Sequence, residues 1–153
     1  MAELNLKQII NRLNEEFIGD TRKLVFCYDD KVNYYKEKYL IDIERMWGID
    51  LSAISNKGKA AKRFDFVIKT EDMIYAIETN FYGGGGSKLN ETARSYKMLS
   101  QESDTVEDFT FVWFTDGIGW RSARENLRET FDVMEHIYNI DDMEHGVMKK
   151  IFI

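Results

Sequence analysis

The sequence predicts an α/β domain, a mixed sheet flanked by helices, formed as a single unit over residues 1–153 with its core at about 60–137. Three observations predict it. Residues 63–69 and 73–80 are rich in Phe, Val, Ile and Tyr and flank the polar break Thr70-Glu71-Asp72, which reads as an antiparallel hairpin. Four glycines then open a helical stretch at about 88–102. Finally, the run 109–115 (FTFVWFT) is apolar on both faces, as a central strand is, so the helix before it is a crossover, expected to be right-handed.

The remaining elements follow in order. Residues 3–17 place Leu6, Ile9, Ile10, Leu13 and Phe17 at helical spacing, and Gly19-Asp20 ends that helix. A short strand is expected at 23–28, a helix at 31–47, and a Gly-, Ser- and Lys-containing connector at 48–62 with a short strand near 50–54. After the central strand, Asp116-Gly117-Ile118-Gly119 makes a turn, a helix follows at 121–138, and a last short strand is expected at 147–153. There is no proline, so the turns are read from Gly, Asn and Asp.

Apolar content of 44% with 31% charged residues is that of a globular chain, not a disordered one. No run suggests a membrane-spanning helix, and the start lacks a signal-peptide pattern; with Cys27 as the single cysteine, a cytoplasmic protein without a disulfide framework is expected, Cys27 being a core residue. The net charge of −6 does not suggest a nucleic-acid binder, but its distribution permits one. Acid gathers at 102–108 and 141–144, while Lys57, Lys59, Lys62 and Arg63 precede Asp65, and Arg121, Arg124 and Arg128 share a helical face by their spacing. Lys57, Lys59, Lys62, Arg63 and Arg121 are therefore the candidate DNA contacts.

The hairpin carries the chemistry. A two-residue loop at Glu71-Asp72, or a four-residue loop on the same centre, pairs positions whose numbers total 143 and sets Asp65 opposite Glu78. A three-residue loop would put the two carboxylates on opposite faces. Like charges so paired repel and require a cation, a shared proton, or Arg63 beside them. A hard divalent cation is the natural answer, since Mg²⁺ uses one or two carboxylates with water and substrate phosphate. Asn80 shares the face of Glu78, and glycines 83–86 lead to Lys88 at a helix start, a backbone arrangement suited to phosphate. Glu91 faces the same way as Lys88, either joining the metal site or serving as the acid a first helical turn favours. Glu37 and Glu44 are further candidates for the metal.

A nucleotide P-loop is the rival, with Asp116 as its second acid. However, Ser87 intrudes before Lys88, and Leu89 occupies the position of the Mg²⁺-binding hydroxyl. His136 and His145 lie far from any nucleophile and are expected at ordinary surface positions. Trp113, Phe111 and Phe114 are expected in the core, and Trp120 exposed.

Asp65, then Glu78-x-Asn80 on the next strand, then a helix, matches the PD-(D/E)xK nuclease pattern. The segments KRFDFVI, AIETNFYGGGGSKLNETARSYK and FVWFTDGIGW resemble the catalytic part of the DpnII/MboI family of type II restriction endonucleases, closely over about 60–137 and loosely before. The resemblance implies a restriction-endonuclease-like fold and a Mg²⁺-dependent homodimer that cleaves double-stranded DNA at GATC and is blocked by adenine methylation. It makes Asp65 and Glu78 the metal carboxylates and sets Asn80 where most such nucleases carry lysine; Lys88 is the candidate for stabilising phosphate charge. The chain is expected to be shorter at its N-terminus than family members. The alternative is a DNA-binding or dimerisation module of the same fold without cleavage.

Overall fold

The computed structural model describes residues 33–54 and 62–151. The expected helix at 3–17, the strand at 23–28, Cys27, Lys57 and Lys59 lie outside the described residues.

Five strands form one mixed sheet in sequential order: β1 (Asn33–Tyr39), β2 (Arg63–Lys69), β3 (Ile74–Phe81), β4 (Phe109–Asp116) and β5 (Ile137–Tyr138). β1, β2 and β3 pair antiparallel, whereas β3–β4 and β4–β5 are parallel. The α/β class and the crossover expected between β3 and β4 are both present. The crossover contains helix α2 (Ser87–Ser103), numbered after α1 (Leu40–Trp47).

β4 is buried on both faces because its alternation supplies two cores. On one side Phe109, Phe111 and Trp113 meet Phe64, Val67 and Ala76, under Leu89, Ala93 and Leu99 of α2 and Leu40 and Ile43 of α1. Val112 and Phe114 face the other side with Phe66, Ile68 and Ile77, covered by Met143 of α4 (Ile140–Glu144) and Ile151 of α5 (Val147–Ile151). Helix α3 (Arg124–Val133) packs beside α2, where the Thr130 hydroxyl donates to the Ala93 carbonyl at 2.9 Å. Among the described residues, no helix is long and apolar enough to cross a membrane.

Several boundaries differ from expectation. Residues 33–39 are strand rather than the start of a helix. Tyr35 sits opposite Val67 and packs on its core, and the helix begins only at Leu40, whose N–H donates to the Lys62 carbonyl. The aromatic and β-compatible content of NYYKEKY outweighed its apparent helical spacing. Residues 52–54 form a 3-10 turn, not a strand. The helix expected at 121–138 is a 3-10 turn at Ile118–Ala123 followed by α3, and Ile137–Tyr138 pairs with β4. The C-terminal segment is helical at 147–151, where Ile151 seals the lower core.

Candidate active site

The hairpin register is the expected one. Phe66–Ile77, Val67–Ala76, Ile68–Tyr75 and Lys69–Ile74 are partners, each pair totalling 143, and the connection is the four-residue form, with Thr70 N–H bonded to the Met73 carbonyl at 3.0 Å. The ladder stops one pair short of Asp65 and Glu78. On the other side of β2, the pairing with β1 skips Glu37 and Asp65, and Glu37 takes a left-handed φ of 52°. Phe64 and Val67 consequently share one face, which regular alternation forbids. This local break frees Asp65 from the pleat. Its carboxylate takes over the role of a ladder carbonyl, accepting from the Thr79 N–H at 2.9 Å and the Thr79 hydroxyl at 3.3 Å.

Glu78 is the buried member of the pair, only 5% exposed. Burial, and then the neighbouring Asp65 carboxylate, push its pKa up from 4.5 to about 8, although Lys62 opposes the rise. The Lys62 ammonium forms an ion pair and hydrogen bond with Glu78 Oε1. It also lies 5.1 Å from the Tyr96 ring centroid and 5.6 Å from that of Phe64, within cation–π range. Tyr96 of α2 lies beside Glu78, and its ring is held edge-on to Phe111 and Trp113 at 5.4 and 4.9 Å. Burial and then Glu78 raise the Tyr96 pKa, so the phenol stays protonated.

Asn80 is held from the opposite side. Trp113 Nε1 donates to Asn80 Oδ1 at 3.1 Å and the Thr115 hydroxyl donates to the same atom at 2.5 Å, while Thr115 accepts from Trp120 Nε1 at 2.8 Å. An indole N–H only donates, so this contact fixes which way the amide faces. The Asn80 NH₂ is thereby turned away from Trp113.

The loops after β3 and β4 are tied together beside these residues. Tyr82 N–H donates to the Asp116 carbonyl and Gly119 N–H to the Tyr82 carbonyl, both at 2.9 Å. A Cβ at Gly117 (φ 115°) would lie 2.1 Å from Tyr82 O, and one at Gly119 would lie 2.4 Å from Gly84 O. This approach admits only glycine.

The structure thus brings together Asp65, Glu78, Lys62 and Tyr96, with Asn80 on the same strand face. Lys62, expected among the DNA contacts, is turned onto Glu78, and it rather than Arg63 is the compensating cation. Arg63 is exposed, 3.9 Å from the Glu37 carboxylate. Lys88 and Glu91 are exposed in the first turns of α2, and Lys88 lies eight residues from Tyr96, roughly 12 Å along the axis. Arg121 is exposed in the 3-10 turn. Glu44 accepts from Leu51 N–H at 3.0 Å, and Glu37 belongs to β1, not to a helix. Asp116, the acid of the P-loop rival, uses its two oxygens to accept from Gly117 and Ile140 N–H.

Trp120 is buried, not exposed: it packs on Tyr82 and Trp113. His136 is half-buried against the Tyr138 hydroxyl at 2.8 Å, and His145 is exposed. Tyr96 was absent from the sequence candidates. The signal was its place on the buried face with Leu89, Ala93 and Ser100, where a phenol requires a polar partner.

The donor set fits a hard divalent cation. Two carboxylates from neighbouring strands, one buried and held by a counter-ion, supply the oxygens Mg²⁺ prefers and leave the other positions to water and phosphate. Among the described residues, no group of three or more His, Cys, Asp or Glu side chains is arranged to hold a metal, so protein ligands alone do not complete a shell.

Comparison with known proteins identifies a family for the chain. The family model described as DpnII restriction endonuclease matches residues 8–150. The chain is 54% identical over 119 residues to the type II restriction enzyme DpnII of Streptococcus pneumoniae, covering 78% of this chain and 41% of the relative. It is 37% identical over 131 residues to MboI of Moraxella bovis, covering 86% and 44%. To MjaIII of Methanocaldococcus jannaschii it is 33% identical over 147 residues, covering 92% and 49%. The chain therefore spans under half the length of these type II restriction enzymes. No solved structure matches it significantly. With nearly its whole length matched, the chain belongs to the DpnII restriction endonuclease family.

Proposed function

We propose that this chain is the catalytic part of a type II restriction endonuclease, a cytoplasmic site-specific deoxyribonuclease that hydrolyses double-stranded DNA with Mg²⁺. Its target is GATC without adenine methylation. The observation that carries the reading is the convergence of Asp65 and Glu78 where the β2 ladder breaks, in a chain whose relatives are named type II restriction enzymes. A palindromic target favours a two-fold homodimer, the commonest closed arrangement.

In this reading Asp65 and Glu78 hold the Mg²⁺, which supplies Lewis-acid polarisation of the phosphate and a lowered pKa for bound water. Lys62 holds the Glu78 carboxyl group beside Tyr96, and Thr79 fixes Asp65. Asn80 cannot act as a base, but its NH₂ positions the attacking water by donating to it. Lys88 stabilises phosphate charge from the start of α2. Lys57, Lys59, Arg63 and Arg121 contact the duplex, with Arg and Lys suited to both phosphate and guanine. The second reading, a module that binds DNA without cutting, draws on the uncharged Asn80 and on the partial coverage of the relatives.

The test is incubation of unmethylated and adenine-methylated GATC plasmid with the chain and Mg²⁺. Discrete fragments from the unmethylated plasmid alone, lost in Asp65→Ala, support the nuclease. Binding without fragments favours the second reading.

A further inference from the structure

We propose that Lys62 is the catalytic cation of this site: it holds the Glu78 carboxyl group until metal binds, and then engages the scissile phosphate. This deepens the nuclease reading and rests on it.

Four observations lead there. Asn80 carries no charge, and its carbonyl oxygen is already occupied by Trp113 and Thr115. Lys88 stands about two helical turns from Tyr96, the α2 residue beside Glu78. Lys62, three residues before Asp65, has its ammonium on Glu78 itself. Its position over the Tyr96 and Phe64 rings holds the ammonium at the Glu78 carboxyl group.

Electrostatics then dictates an exchange. An ammonium and a divalent cation on the same carboxylate repel each other, so metal binding weakens the hold of Glu78 on Lys62. The side chain has room to move: it is 30% exposed and lines a cavity of about 100 Å³ with Ile54, Ser95, Met98, Leu99 and Glu102. The scissile phosphate is the anion that arrives with the duplex, and a lysine released beside it offsets charge developing on its oxygens. Asp65 and Glu78 would hold the metal with the Glu78 proton released to solvent, so two carboxylates face one divalent ion and the freed ammonium faces the phosphate.

The test compares Lys62→Met and Lys62→Arg with the parent chain. Calorimetric titration of Mn²⁺ into DNA-free protein at about pH 9, where proton competition for Glu78 is small, reads the counter-ion role. Lys62→Met should bind Mn²⁺ about tenfold more tightly because the competing charge is gone, while Lys62→Arg stays near the parent. Turnover on unmethylated GATC duplex should fall about 100-fold in Lys62→Met with KM little changed, and recover in part in Lys62→Arg. Unchanged or weaker Mn²⁺ binding by Lys62→Met overturns the proposal, as does turnover within about threefold of the parent. A parent chain that binds Mn²⁺ but cuts no duplex defeats the nuclease reading and, with it, the catalytic half of this proposal. The Mn²⁺ comparison still decides the counter-ion half.

Discussion

Replacing Glu78 by Gln should make the metal-free protein more stable, by an amount that depends on pH. The native protein keeps a proton on Glu78 up to about pH 8, whereas in the unfolded chain the group ionises near 4.5. Between those values the native state binds more protons, so its stability falls as pH rises, and the loss is complete above about pH 8. At roughly 1.4 kcal/mol per unit, the full penalty is on the order of 5 kcal/mol. Gln mimics the protonated acid: it can accept from Lys62 and donate to Asp65. Thermal melts followed by circular dichroism in EDTA should place Glu78→Gln well above the parent at about pH 9, by at least about 4 °C for a chain of this size. At about pH 5 the two melts should nearly coincide. Adding Mg²⁺ at about pH 9 should raise the parent's melting temperature and leave that of the variant unmoved. A variant less stable than the parent at high pH, or a difference independent of pH, would refute the reasoning.

Other consequences can be checked separately. Because a proton must leave Glu78 before a cation binds, Mn²⁺ affinity should rise up to about tenfold per pH unit and level off near pH 8; a flat profile between about pH 6 and 8 would contradict this. Asp65→Asn keeps an acceptor for the Thr79 N–H, so its melting temperature at neutral pH should stay within a few degrees of the parent, roughly 1 kcal/mol. Gly117→Ala forces a Cβ against the Tyr82 carbonyl at a φ of 115° and should cost at least about 2 kcal/mol in urea denaturation. Trp120→Phe removes the indole donor to Thr115 and should cost about 1 kcal/mol by the same measurement.

The hairpin was legible because two signals agreed: β-favouring runs and a polar break whose length fixes the register. Phe109–Asp116 was legible because both its faces are apolar. Asn33–Tyr39 was not, since tyrosines and lysines beside a true helix imitate helical spacing, and only pairing with β2 decides between the periods. Val147–Ile151 is too short for its period to separate helix from strand. Asp65 and Glu78 were found from register alone, yet the break that turns Asp65 toward Thr79 depends on Glu37 in β1, 28 residues earlier in a segment read as helix. Lys62 looked like part of a basic surface run because sequence spacing does not show that the chain enters β2 beside Glu78. Tyr96 and Trp120 were hidden for a related reason. Their polar atoms serve partners on other elements, and periodicity reports only burial.

Calorimetric titration of Mn²⁺ into the metal-free chain at about pH 8, with Asp65→Asn and Glu78→Gln alongside, tests the shared-ion site most directly. The account predicts a single ion per chain for the parent and loss of that binding in both variants. Binding that survives in either variant, or a parent that takes up no ion, would contradict it.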